Sequence, residues 1–229
     1  MENDVLNEQI AYYRARAQEY DESILEAGRS ASTEGKQTNE EPDPIERGMH
    51  LLQQMGMFGQ VLELACGTGI WTEVLLQIGQ EVTAIDAAPE MLSIARQKLG
   101  NAPVNYQQAD LFNWEPVQKY DLVFFAFWLS HIPPEMLDTF LDKVRLAVRP
   151  GGKMVIFDEY APTDEDRSVA KGDIYAMRPL RDGRTFTIVK VFYDLNALQE
   201  KLNHSGFEVQ IEKLSSVFFF LSAKRQQTT

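Results

Sequence analysis

The residues best suited to chemistry form one spaced set: a pair of glycines and an aspartate that follows them. Gly67 and Gly69 lie in Val61-Leu62-Glu63-Leu64-Ala65-Cys66-Gly67-Thr68-Gly69-Ile70-Trp71-Thr72. The stretch reads as an apolar strand, a tight turn and the start of a helix. Glycine allows backbone angles and close approaches that a Cβ forbids. A ligand can then lie against bare N–H groups at the helix N-terminus. Seventeen residues past Gly69, a second apolar run, Val82-Thr83-Ala84-Ile85, ends in Asp86. A carboxylate at that spacing accepts both hydroxyls of a ribose. The pair points to a nucleoside-containing ligand without saying which.

Two further groups carry possible chemistry. His131 lies in Phe127-Trp128-Leu129-Ser130-His131-Ile132-Pro133-Pro134. Imidazole titrates near neutrality, so it can act as a general base or stand as a hydrogen-bonded structural histidine. Arg178, Arg181, Arg184 and Lys190 cluster in an otherwise acidic chain. Arginine makes paired bonds to carboxylate or phosphate. The same run also reads as a solvated face balancing Asp166, Asp173 and Asp182.

The elements that must position these groups follow from hydrophobic spacing. Residues 5–27 read as a helix, with Ile10, Tyr13, Ala17, Tyr20 and Ile24 on one stripe. Its tyrosines either pack on the core or form a lid over a ligand. Residues 28–44 are polar and read as a mobile loop, after which Pro44 opens a helix. Strands and helices then alternate. The helices span 70–78, 89–99 and 134–148, and the strands 104–109, 122–127 and 154–157. Residues 160–183 break this rhythm and read as an insertion over the sheet edge. The chain closes with a strand at 185–192, a helix at 195–202 and a hairpin at 209–221. The βαβ alternation implies a parallel sheet covered on both faces, with ligands beyond the carboxyl ends of its strands. Asp86, Asp110, Trp128 and Asp158 all fall at that edge.

The 229 residues fit one domain with a sizeable core, being 44% hydrophobic. A net charge of −12 argues against a nucleic-acid acceptor or an anionic membrane surface, which need a basic field. Cys66 is the single cysteine, so no internal disulfide forms. The scattered histidines, His50, His131 and His204, offer no metal site. There is no basic start followed by an apolar core and no membrane-length apolar run. The expectation is a cytoplasmic protein, monomer or homodimer.

These residues together resemble the class I S-adenosylmethionine-dependent methyltransferases. The resemblance rests on the strand and turn 61–69, on Asp86-Ala87-Ala88-Pro89-Glu90-Met91-Leu92, on Ala109-Asp110-Leu111, on Tyr120-Asp121-Leu122-Val123 and on Arg149-Pro150-Gly151-Gly152. Ala65 stands where many members carry a first glycine. The resemblance implies an α/β Rossmann-like, doubly wound seven-stranded sheet, mostly parallel with an antiparallel last strand, under an N-terminal helical lid. It implies S-adenosyl-L-methionine as cofactor and S-adenosyl-L-homocysteine as product. Glu63, Ala65, Gly67 and Gly69 would surround the methionine part. Asp86 would hold the ribose, Ala87 and Met91 would border the adenine, and Asp110 with Leu111 would meet the adenine amino group. The Phe127 region would face the sulfonium. Cation–π attraction favours Trp71, Tyr13 or Trp128 as its neighbours. The acceptor would be a small molecule touched by Trp128, Arg178 and Arg181, with His131 as candidate base. A nicotinamide dinucleotide would want a third glycine where Thr72 stands. That oxidoreductase reading and a non-catalytic cofactor-binding protein are the alternatives.

Overall fold

The computed structural model describes residues 2–33, 43–160 and 174–227. Its centre is a seven-stranded sheet in the order β3-β2-β1-β4-β5-β9-β8. The strands are β1 (Phe58–Leu64), β2 (Gly79–Asp86), β3 (Val104–Gln108), β4 (Tyr120–Ala126), β5 (Val148–Glu159), β8 (Phe207–Lys213) and β9 (Phe218–Arg225). β1 to β5 pair in parallel, and β9 enters antiparallel between β5 and β8. The strand order reverses at β1, which starts the switch point where such sheets bind ligands.

The central strands are apolar on both faces because helices cover both. Along β4, Leu122, Phe124 and Ala126 join one core layer, while Val123 and Phe125 join the other. The first layer packs on α3 (Pro44–Gln53) and α4 (Ile70–Ile78), through Leu52, Trp71 and Leu75. The second packs on α6 (Pro134–Ala147) and α7 (Leu195–His204), through Phe140, Val144 and Leu202. α5 (Pro89–Leu99) covers β2, where Leu92 meets Ala84 and Cys66. Among the described residues no helix is long and apolar enough to cross a membrane.

Three segments depart from expectation. The N-terminal helix is two, α1 (Glu2–Arg16) and α2 (Tyr20–Thr33), joined by a 3₁₀ turn at Ala17–Glu19. α2 thus continues through residues 28–33, expected as loop; residues 34–42 of that loop lie outside the described residues. β5 begins at Val148, six residues before the expected start, and carries Pro150 within it. The end of the expected insertion is half of a separate antiparallel hairpin, β6 (Tyr175–Pro179) with β7 (Thr185–Val189). Residues 161–173 of that insertion lie outside the described residues.

α1 lies across the carboxyl edge of the sheet and is fastened at both ends. On the hairpin side, the Glu8 carboxylate accepts from Thr187 N at 2.6 Å, and Tyr12 packs on Phe186. On the α5 side, Arg14 pairs with Glu90 at 2.8 Å. The start of α2 is tied to the glycine turn, because Asp21 accepts from Thr68 Oγ1 and Lys98 Nζ.

Candidate functional site

The site grows from the end of β1. Ala65, Gly67 and Gly69 all have positive φ, at 54°, 54° and 83°. Only glycine adopts that region without a steric penalty, so Ala65 is held under local strain. Phe127, at the matching end of β4, also has φ of 53°. Both strained residues line the same cavity. The Gly67 turn is covered by the Tyr20 ring, which a Cβ at Gly67 would meet at 3.4 Å.

Asp86 closes the turn from β2. Its Oδ2 accepts from Gly67 N and its Oδ1 from Ala88 N, both at 2.8 Å. Each oxygen retains lone-pair capacity for a ligand hydroxyl. Burial pushes the Asp86 carboxyl up to about 6, against the pull of these N–H groups. Glu63 lies deeper and accepts from Thr72 Oγ1 at 2.5 Å. Burial pushes its carboxyl up to about 8, opposed by the Thr72 hydrogen bond and assisted by the Asp86 charge.

Asp86 opens on a cavity beyond the strand ends. Ala65, Gly67 and Asp86 form its floor, with Ala87, Met91, Asp110 and Leu111 at one end. Tyr13, Phe127 and Trp128 form its aromatic side. Glu63 and Trp71 line an adjoining recess that shares Ala65, Tyr20 and Phe127 with the main cavity. The indole N–H groups of Trp71 and Trp128 are buried without a partner. A buried unpaired donor is costly, and these two belong to residues that line the recess and the cavity. Asp110 accepts from Phe112 N and Asn113 Nδ2, at 3.0 and 2.7 Å, and so stays fixed at the cavity mouth.

Four expected site residues line neither space directly. Gly69 lines neither space; it caps α4, and a Cβ there would stand 3.2 Å from both Ala95 and Leu99. Its glycine serves helix packing rather than ligand approach. Arg181 lies on the outer turn of the hairpin, pairing with Glu22 at 2.8 Å and Glu19 at 3.9 Å. Arg178 is on β6, near enough for its charge to act on Tyr12 and His131. His131 is buried behind Tyr13, with its Nε2 2.8 Å from the Tyr13 hydroxyl. That nitrogen is occupied, not free to take an acceptor proton. The wall also includes Gln9 and Ile10, which the sequence reading did not place in the site, and Tyr20. Gln9 and Ile10 precede Tyr13 by one helical turn, which is the spacing that could have found them.

The end of the site beyond Tyr13 is cationic. Arg16 reaches over the rings of Tyr12, Tyr13 and Tyr20, with centroid distances of 5.1, 6.0 and 5.3 Å. Its hydrogen bonds run to the Tyr12 hydroxyl and Ser23 Oγ. Lys190 is buried and paired with Glu159 at 2.6 Å. Arg16 and Arg178 have no carboxylate partner among the described residues. Burial holds the His131 imidazole well below its ordinary value, and the charges of Lys190, Arg178 and Arg16 push the same way.

Comparison with known proteins places this geometry. A family described as a methyltransferase domain matches residues 61–152. A methyltransferase named from Bacillus mycoides strain KBAB4 is 24% identical over 169 residues, covering 74% of this chain and 79% of its own. The solved DhpI-SAH complex is 33% identical, covers 97% of each chain and superposes with a TM-score of 0.80. The DhpI-SAM-HEP complex is 34% identical over 96% of this chain and 97% of its own, with a TM-score of 0.77.

Proposed function

Because the chain belongs to the class I S-adenosylmethionine-dependent methyltransferases, we propose that it methylates a small-molecule acceptor carrying an anionic group. The acceptor sits at the Tyr13 end of the cavity, between α1 and the β6–β7 hairpin. The observation that carries this reading is a pair of cations, Arg16 and Arg178, that act on Tyr12 and His131 and have no carboxylate partner among the described residues, in a chain of net charge −12. Cations with no carboxylate partner among the described residues, beside the cavity wall formed by Tyr13, favour an anionic ligand. The DhpI-SAM-HEP complex, a relative named with a second molecule beside SAM, supports a two-ligand site.

The residues present fit the cofactor. The Asp86 carboxylate, already ordered by two backbone N–H groups, suits a ribose diol. The unpaired Trp71 indole and the buried Glu63 in the adjoining recess suit the carboxylate and ammonium of a methionine tail. The rings of Tyr13, Tyr20, Phe127 and Trp128 suit a sulfonium, which they attract without binding it irreversibly. When bound, the cofactor supplies an electrophilic methyl group for in-line displacement. The chain then has to align the nucleophile and exclude water, and α1 is the element that closes the cavity. Arg16 and Arg178 hold the acceptor anionic, so an acidic oxygen arrives as a nucleophile that needs no proton removed.

The test uses methyl-labelled cofactor and a panel of small carboxylates and phosphates beside their neutral amides or esters. Label should appear in acids and not in their neutral counterparts. Arg178→Ala should raise the acceptor KM about tenfold or more, with S-adenosylhomocysteine affinity unchanged. Arg181→Ala should leave both unaltered. Equal labelling of neutral compounds would overturn the anionic reading. Cofactor binding without turnover of any acceptor would favour a non-catalytic binding protein.

A further inference from the structure

We propose that His131 is a positioning residue that acts through Tyr13, fixing the direction of the Tyr13 hydroxyl so that its oxygen presents only lone pairs to the bound ligands. The inference rests on the methyltransferase reading above and replaces the general base expected at this position. Tyr13 is the member of the pair that lines the cavity.

The hydrogen-bond chain permits one polarity. His131 Nδ1 lies 2.7 Å from the Val189 carbonyl oxygen, which can only accept. Nδ1 therefore carries the proton. In a neutral ring Nε2 is then the acceptor. The group 2.8 Å from it is the Tyr13 hydroxyl, which must donate. With its one proton committed, the Tyr13 oxygen can only accept from, or turn its lone pairs toward, whatever occupies the cavity. The rings meet edge to face at 5.5 Å, which fixes the approach as well as the polarity.

Reversing that polarity requires a proton on His131 Nε2, which burial and three neighbouring cations oppose more strongly than the Val189 carbonyl favours it. Lys190 follows β7, Arg178 lies on β6 and Arg16 ends α1; all three are positive and act on the ring. The carboxylates nearby are engaged. Glu159 pairs with Lys190, and Asp158 accepts from Ser130 N and Glu159 N at 3.1 and 2.8 Å. Ser130 Oγ also accepts from Lys190 at 3.2 Å. The imidazole is therefore set in place by a buried network and kept neutral by its surroundings, both of which suit an orienting group and disfavour a proton acceptor.

A second clamp brings α1 to the same place. The Gln9 side chain donates to the His131 carbonyl at 3.2 Å and accepts from Val189 N at 3.0 Å. The 3₁₀ turn at Leu129–His131 and the end of β7 are thus bridged twice, once by the His131 ring and once by Gln9. Both bridges bear on one turn of α1, from Gln9 to Tyr13. Tyr13 can reach its position over the cavity only when that turn is docked.

Two measurements test the proposal on the full chain. The first is ¹⁵N NMR of histidine-labelled protein, which needs no acceptor; three histidines make assignment by single substitution practical. His131 should show the neutral Nδ1–H form at about pH 6, where an ordinary imidazole is mostly protonated, and Tyr13→Phe should shift the Nε2 resonance. The second is steady-state kinetics with the acceptor found by the screen. Tyr13→Phe and His131→Leu should each lower kcat about ten- to a hundredfold, and the double variant should fall no further, because the two act as a unit. His131→Gln, which keeps an acceptor but cannot titrate, should recover most of the loss. The proposal fails if His131 titrates near its ordinary value. It also fails if His131→Gln is as inactive as His131→Leu while Tyr13→Phe stays near wild type. Loss of stability alone, with kcat intact, would equally overturn it. A wild-type chain that methylates nothing would instead sink the functional reading, and the NMR result separates the two failures.

Discussion

Replacing Glu63 by glutamine should remove a fall in stability between pH 6 and 8 that its carboxyl contributes. Glu63 is 2% exposed, and burial lifts its carboxyl from 4.5 to about 8. The sign follows from proton counts. Between those values the folded ligand-free chain holds a proton that the unfolded chain has released. Stability therefore falls as pH rises, by about 1.4 kcal/mol per pH unit. Asp86 behaves alike, but its window runs from 3.8 to about 6, so it has largely finished before Glu63 dominates. From pH 6 to 8 the wild type should lose about 2 kcal/mol through Glu63, because the slope flattens as the pH nears the folded value. A glutamine can still accept from Thr72 Oγ1 and holds no proton to lose. Urea unfolding at pH 6, 7 and 8 reads the difference directly. The cofactor should reverse the trend, because the positive end of a methionine tail favours the ionised carboxylate. Calorimetry of S-adenosylhomocysteine in two buffers of different ionisation enthalpy should then show proton release near pH 7 in the wild type and much less in Glu63→Gln. Parallel stability slopes in both proteins, with no proton release, would refute the argument.

Two further substitutions test the backbone of the turn. Ala65→Gly should stabilise the chain by about 0.5–1 kcal/mol, since it relieves a positive φ that costs alanine about 1–2 kcal/mol and adds back part of that as chain entropy; thermal unfolding measures it. Gly69→Ala should destabilise by about 2 kcal/mol or more, because its Cβ meets α5 and its φ is 83°, whereas a purely ligand-contacting glycine would lose cofactor affinity without losing melting temperature.

What could be read in advance depended on whether the deciding contacts were local. α4 spans Ile70–Ile78 as expected because Gly69 and Gly79 bound it in the chain itself. The Asp86 position was legible because strand, turn and carboxylate lie within one βαβ unit. The start of β5 was not. Pro150-Gly151-Gly152 reads as a turn, yet Gly152 is needed inside the strand, where a Cβ would stand 3.0 Å from the Asp121 carbonyl oxygen. The distinction between Arg178 and Arg181 was equally invisible. It depends on a hairpin whose strand holds one and whose turn carries the other outward to Glu22. Gln9 has the right helical phase, but its partners lie more than 120 residues away at His131 and Val189.

The two ends of the site are built by different parts of the chain, and this explains their different chemistry. The cofactor end uses backbone N–H groups and buried carboxylates of the sheet edge, positions set by strand register and glycine geometry. Such a site varies little without breaking the sheet. The acceptor end proposed above is bounded by α1 and the β6–β7 hairpin, which are joined to each other and to the turn after β4 through side chains such as Gln9 and Tyr13. Among the described residues, Arg16 hydrogen-bonds to Tyr12 and Ser23, both outside the central sheet, and Arg178 lies on the separate hairpin. Those cations survive in an acidic chain close to a neutral histidine, at an electrostatic cost that a bound anion would offset. On the proposed reading acceptor choice lies with the elements laid over the fold, and substitutions confined to Arg16 and the hairpin should change the acceptor while leaving S-adenosylhomocysteine affinity in place.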